Sequence, residues 1–291
     1  MQPYSNNSRK KTVSEIVDTK KKGDKLVVLT AYDFSIASII DKNDIDIILV
    51  GDSAGMVMLG YPNTRPVNMA EMLLFCRAVS NATNKAMISV DMPFGSYQKN
   101  IDEAISNAVK LIKAGADSVK VEGGEEIFDR IKPMVDIGIP VMGHIGYKPQ
   151  TSSMWNFSKA AGKTKESALK LLHDAKVIEK AGAFSIVLEM ITTEVAEIIT
   201  KNISIPTIGI GSGPACDGQV LVTYDMLGIN QDFKPKFVKK YLDLNHLIAT
   251  SVQTYSRDVK SGAFPSNDNI IHMDTKQYEE FLNEYGLRAS K

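Results

Sequence analysis

Ionisable side chains close one apolar run after another along this sequence. Tyr32-Asp33 follow LVVLTA, Asp52-Ser53 follow IILVG, Asp91 ends ISVD, His144 ends PVMGH and Glu189 ends SIVLE. In DSVKVE the pattern is denser, with Lys120 and Glu122 two residues apart and so on one face of a strand. Singly, each has a plain reading. A strand-end aspartate commonly caps the helix that follows, His144 is a satisfied structural histidine, and Lys120 with Glu122 is a buried ion pair. The set reads differently. Burying Asp52, Asp91, Glu122 and Glu189 together is costly unless a cation stands among them. One lysine cannot neutralise four carboxylates, whereas a divalent ion can, and oxygen-only ligands favour Mg²⁺ or a similar hard ion over zinc. On this reading Glu122 helps to hold the ion, directly or through water. Lys120 offers its charge to an anionic substrate, and Gly123-Gly124 let the backbone turn sharply beside the site.

The elements that must position these residues follow from the apolar patterning. Runs rich in Val, Ile and Leu at 26–32, 45–51, 87–92, 117–122, 139–144, 184–189, 206–211 and 219–224 predict eight strands. They are continuously apolar rather than alternating, as for parallel strands covered on both faces. Helical stripes lie between them. Ile101, Ala104, Ile105, Ala108, Leu111 and Ile112 share one face and Gly115 stops the helix. Ala168, Leu171, Leu172, Ala175 and Ile178 share another, ending at Gly182. This succession predicts a (β/α)₈ TIM barrel, whose strands end at a common mouth where catalytic groups gather. A doubly wound open sheet is the alternative, but no Gly-x-Gly-x-x-Gly follows the first strand. The glycine-rich run GIGSGPACDG (209–218) follows the seventh strand, where barrels often hold an anionic group.

The expected organisation is a flexible N-terminus (1–11), a barrel domain beginning with a short helix (12–262), and a C-terminal segment (263–291) that is either a loosely held tail or an arm packed on a neighbouring subunit. Residues 54–69 form a long loop after the second strand, a candidate lid. Thirty-four basic and thirty-four acidic residues give no net charge, so no global field attracts nucleic acid or an anionic membrane. No apolar run is long enough to span a bilayer. The polar, basic start MQPYSNNSRKK is not a secretory signal. Cys76 and Cys216 have no metal-type spacing and are expected to be reduced, buried thiols of a cytoplasmic protein.

In these residues the chain resembles the ketopantoate (3-methyl-2-oxobutanoate) hydroxymethyltransferase family. TAYDFS (30–35), LVGDSAGM (49–56), DMPFGSY (91–97), AGADSVKVEGG (114–124), PVMGHIGYKPQ (140–150) and IGIGSGPACDGQVLV (208–222) carry the likeness, in register from about residue 12 to 265. The resemblance implies a (β/α)₈ barrel using Mg²⁺ and 5,10-methylenetetrahydrofolate to convert 3-methyl-2-oxobutanoate to 2-dehydropantoate for pantothenate synthesis. It implies Asp52, Asp91 and Glu122 as metal positions, the last through water in one version. It also implies Ser53, Asp91 and Lys120 as ketoacid-binding positions, Glu189 as general base, and a homo-oligomer, typically a decamer. Asp52, through a metal-chelated ketoacid, and His144, orienting the carboxylate or polarising the ketone, are expected to complete the substrate-binding set. Three departures from the family pattern stand out. WNFSKAAGK (155–163) replaces a glycine-rich run and bears on folate contacts, Ser212 stands in place of alanine, and the tail after 265 is long. Two rival readings remain. One is a phosphoenolpyruvate mutase or isocitrate-lyase-like enzyme acting on another 2-ketoacid, although neither cysteine lies in a suitable mobile loop. The other is a catalytically silent homologue acting as a binding module, although the proposed catalytic residues are all present.

Overall fold

The computed structural model describes residues 9–151, 160–230 and 235–286. Strands β1 (Leu26–Thr30), β2 (Ile47–Val50), β3 (Met87–Asp91), β4 (Ser118–Glu122), β5 (Val141–Gly146), β6 (Ser185–Glu189), β7 (Thr207–Ile210) and β8 (Gly218–Leu221) pair in parallel in chain order. β8 returns to β1 in the register Leu26 to Gly218, so the sheet closes into a barrel. The expected TIM barrel is the fold observed. Helices begin where the sequence supplies caps: Asn100 accepts from the Glu103 amide ahead of Ile101–Lys113, and Thr164 from the Ser167 amide ahead of Lys165–Lys180.

Alternation along each strand splits the apolar residues into two cores. Ile48, Val50, Ile88, Val90, Val119, Val121, Val141, Ile186 and Leu188 pack with the helices. Leu26, Val28, Ile47, Leu49, Met87, Met142, Val187, Ile208 and Val220 form a second cluster, on the opposite strand faces, that fills the barrel. The polar residues keep the parity of this inner set. Asp91 stands four residues after Met87, His144 two after Met142 and Glu189 two after Val187. A slip of one residue would put each of them among the helices.

The opposite end of the barrel is closed by the helix Val13–Lys22. Thr12 and Glu15 form a capping box at its start, and Gly23 ends it in the left-handed conformation. Ile16 is fully buried in the inner cluster. Lys20 donates to the carbonyls of Thr200 and Ile205 and to Asp217. Truncating Ile16 to Ala should therefore cost about 2–5 kcal/mol of stability, read as a lower denaturant midpoint. An unchanged midpoint would show that the helix is not part of the barrel's core.

Residues 54–69 are not wholly loop. They contain the short helix Ala54–Val57, and Asn68 caps the helix Met69–Ser80. The chain forms two compact units that divide between Leu242 and Asp243, ahead of the boundary expected at residue 262. The helix Leu244–Ser261, which the sequence reading assigned to the barrel, falls in the C-terminal unit with the helix Thr275–Glu284. Within that unit Tyr255 packs edge-on against Phe264. Among the described residues no helix is long and apolar enough to cross a membrane. Residues 155–159, part of the departure from the family pattern, lie outside the described residues.

Candidate active site

The ends of β2, β3 and β4 meet first. Asp91 uses both oxygens: Oδ1 lies 2.7 Å from Lys120 Nζ, and Oδ2 accepts from the Asp52 backbone N–H at 3.0 Å. The Lys120–Asp91 pair is almost wholly withdrawn from solvent. A Cβ on Gly51 would come within 2.9 Å of Ser53 Oγ, so glycine there lets the chain pass close to the site. Ser53 Oγ is 2.8 Å from the Tyr32 hydroxyl. Asp33, which the sequence places beside Tyr32, has the plainer role: it caps the helix Phe34–Asp41 through the Ile36 amide.

Glu122, His144 and Glu189 form a second row. His144 Nδ1 lies 3.6 Å from Glu122 Oε1, and Nε2 lies 3.2 Å from Glu189 Oε2. Neither ring nitrogen completes an aligned hydrogen bond. Glu122 and His144 are sealed in, whereas the Glu189 side chain retains 18% exposure and is the member a substrate can reach. Both glycines after Glu122 are required. Gly123 has φ 146°, and a Cβ on Gly124 would stand 2.2 Å from the Asp174 carboxyl carbon.

Residues to which the sequence reading gave no role hold these rows together. Gln150 Nε2 donates to Asp52 Oδ2 (2.8 Å) and to the Met92 carbonyl, and its backbone N–H donates to Glu122 Oε2 (3.1 Å). Tyr97 donates to Gln150 Oε1 and lies 3.0 Å from both the carbonyl oxygen and the amide nitrogen of Glu122. Arg65, in the 54–69 segment, donates to the Gln150 carbonyl. Gln150 lies within a motif that carries the family resemblance, but its contacts depend on tertiary structure. Ser212, in place of the family's alanine, is also structural: it donates to the Leu188 carbonyl and accepts from the Ile191 amide, bracing the end of β6 where Glu189 sits.

The electrostatics follow from crowding carboxylates in a dry mouth. Burial, and then the charge of Asp91, push the Asp52 carboxyl up to about 7, against the pull of Lys120 and Gln150. Burial and Asp52 hold Glu122 well above the carboxylate range. Burial opposes the Lys120 ammonium, but Asp91, Glu122 and Asp52 outweigh it and raise its pKa. Burial and Lys120 lower that of His144, so the ring is neutral at neutral pH. Without a divalent cation, Asp52 and Glu122 therefore tend to hold protons. Among the described residues no three Asp, Glu, His or Cys side chains are grouped so as to ligate one ion together. Asp52, Asp91 and Glu122 are thus not gathered as three direct ligands, and Glu122 is instead turned to Gln150 and His144. A hard ion that uses one or two carboxylates and completes its shell with water and substrate fits the Asp52–Asp91 side of the mouth.

Asp52 titrates near 3.8 when unperturbed and near 7 in the fold. Its contribution to stability is full below about 4 and lost as pH rises through about 7. Cation-free protein should lose on the order of 4 kcal/mol relative to Asp52→Asn across that window. The comparison removes the opposing effect of His144, whose lowered pKa costs stability as pH falls. Denaturation of both proteins in chelator at pH 5 and pH 8 should read about 3 kcal/mol of it, part being already lost between about pH 4 and pH 5, and a difference that does not change with pH would refute the assignment.

These groups line one cavity: Asp52, Ser53, Asp91, Lys120, Glu122, His144 and Glu189 all face it. The structure thus brings together every site residue expected from the sequence, and it shows Cys76 and Cys216 free and buried elsewhere. Solved structures with the same fold include a phosphonopyruvate hydrolase complexed with oxalate and Mg²⁺ (TM-score 0.59, 12% identity, 96% of this chain and 100% of that one). A 2,3-dimethylmalate lyase of the PEP mutase/isocitrate lyase superfamily is similar (TM-score 0.57, 15% identity, 94% and 93%). At such identities the likeness concerns the fold alone. Sequence relatives are far nearer. A 3-methyl-2-oxobutanoate hydroxymethyltransferase of Nitrosopumilus maritimus (strain SCM1) is 52% identical over 95% of this chain and 99% of its own. One of Syntrophus aciditrophicus (strain SB) is 50% identical over 90% and 96%. The model of the ketopantoate hydroxymethyltransferase family matches residues 10–267. With that match across the barrel, and relatives of this similarity along nearly their whole length, the chain belongs to the ketopantoate hydroxymethyltransferase family.

Proposed function

We propose that this enzyme transfers a hydroxymethyl group from 5,10-methylenetetrahydrofolate to 3-methyl-2-oxobutanoate, giving 2-dehydropantoate for pantothenate synthesis. The observation that carries the reading is the facing of a buried cation, Lys120, and a reachable carboxylate, Glu189, across one barrel mouth. Lys120 and Ser53 bind and orient the ketoacid carboxylate. Glu189 removes the proton from the branched carbon, and neutral His144 fixes its carboxylate from one side. Asp52 and Asp91 would hold Mg²⁺, with Glu122 acting through water, and the bound ion would supply positive charge against the charge developing on the keto oxygen. The carbon nucleophile bonds to the folate methylene carbon as its N10–C bond breaks. The N5–C bond then breaks, one water supplies the hydroxyl to that carbon, and the water's other proton and the proton taken by Glu189 end on the two freed nitrogens of tetrahydrofolate. Family resemblance supports a cytoplasmic homo-oligomer, in the decameric pattern.

The test is proton exchange. Protein, 3-methyl-2-oxobutanoate and Mg²⁺ in D₂O should exchange the branched-carbon proton without folate, and added 5,10-methylenetetrahydrofolate should then yield 2-dehydropantoate. Folded, metal-loaded protein that does neither would overturn the reading in favour of a silent binding module.

A further inference from the structure

The cavity holds one carboxylate that the mechanism leaves unused. Asp225, just beyond β8, is 6% exposed and lines the cavity that also holds Lys120 and Glu189. Its Oδ1 is buried with no hydrogen-bond partner, a costly state for a native carboxylate unless a ligand completes it. It caps nothing: the short helix Thr223–Met226 has no side-chain cap. Burial pushes its carboxyl up to about 6 while Lys240 pulls it down, so it is ionised at neutral pH. Asp225 and Asp91 both act on the buried Tyr32 phenol, the partner of Ser53, which ties it electrostatically to the charged rows. Much of the remaining lining is apolar: Met56, Val57, Val220, Val222, Phe237 and Val238.

An apolar wall with one unpaired carboxylate suits a flat heterocycle that buries its faces and presents adjacent N–H donors on one edge. The small ketoacid has no such edge. The second substrate has one: the 2-amino-4-oxopyrimidine ring of a reduced folate offers a ring N–H beside an amino group, a pair that matches the two oxygens of a carboxylate as a guanidinium does. We propose that Asp225 is the docking carboxylate for the 2-amino-4-oxopyrimidine edge of the folate substrate. The proposal rests on the reading of this cavity as a joint ketoacid and folate site, and it assigns the pterin to the β8 side of the mouth.

Anaerobic calorimetry with tetrahydrofolate on the full chain tests it, using wild type, Asp225→Asn and Asp225→Ala, each checked for folding by circular dichroism. Loss of a charge-assisted bidentate contact should weaken tetrahydrofolate binding about 10- to 100-fold in both variants. A tetrahydrofolate analogue lacking the 2-amino group should bind wild type and variants within a few-fold of each other. Wild-type affinity in Asp225→Asn would overturn the proposal, as would equal weakening for both ligands, which marks a structural role. A wild-type protein that enolises the ketoacid but does not bind tetrahydrofolate would overturn the folate reading itself, and Asp225's role with it.

Discussion

Glu189→Gln loses deuterium exchange at the branched carbon of 3-methyl-2-oxobutanoate, with the rate falling about 10²- to 10⁴-fold. Glutamine keeps the length and shape of the side chain but cannot accept the proton. The geometry indicates why Glu122 does not substitute. Glu122 is closed off by the Gln150 amide and His144, and its side chain is 1% exposed against 18% for Glu189. His144 is neutral, but its ring is enclosed between two carboxylates with 2% side-chain exposure. Ketoacid affinity should change only a few-fold, because Lys120 and Ser53 are untouched. Exchange followed by NMR, with affinity measured separately, distinguishes a lost base from a lost binding site. Retention of wild-type exchange by the glutamine variant would move the base to another residue.

Much of this site was legible in the sequence because strand parity is a strict rule. Asp91, Glu122, His144 and Glu189 each close an apolar run, Lys120 shares the face of Glu122, and a closed barrel leaves one mouth for strand ends. Once β4 carried Lys120 and Glu122 on one face, the neighbouring registers placed the Asp91 carboxylate beside the Lys120 ammonium and the His144 ring beside Glu122. What the sequence could not show are contacts made by loops. Gln150 reaches Asp52 across 98 residues, and nothing local marks an amide after a proline as the link between two rows. Asp225 reads locally as an ordinary helix-turn aspartate, and only the folded structure shows that it lines the cavity and that its Oδ1 is buried without a hydrogen-bond partner. The division after Leu242 was hidden for a similar reason. Leu244–Ser261 is a long helix with the right sequence position to be the barrel's last, and its grouping depends on contacts rather than on its own pattern.

The second large effect concerns Lys120. Lys120→Met should lose about 3–5 kcal/mol of stability at pH 8 and bind the ketoacid about 10²-fold more weakly. Methionine fills nearly the same volume, so the cost is electrostatic rather than a cavity. Removing the ammonium leaves Asp91 buried beside Asp52 and Glu122 with no fixed cation among them. Without Lys120 the carboxyls hold their protons more tightly, so the native state binds more protons than the unfolded chain and stability falls as pH rises. The deficit against wild type should therefore be small at pH 5 and large at pH 8, and saturating Mg²⁺ should recover part of it by restoring positive charge to the same carboxylates. Denaturation at the two pH values, with and without Mg²⁺, separates this from a packing defect, which would be independent of both. A uniform deficit with unchanged ketoacid affinity would mean that Lys120 serves only to hold Asp91, and the substrate carboxylate would need another partner.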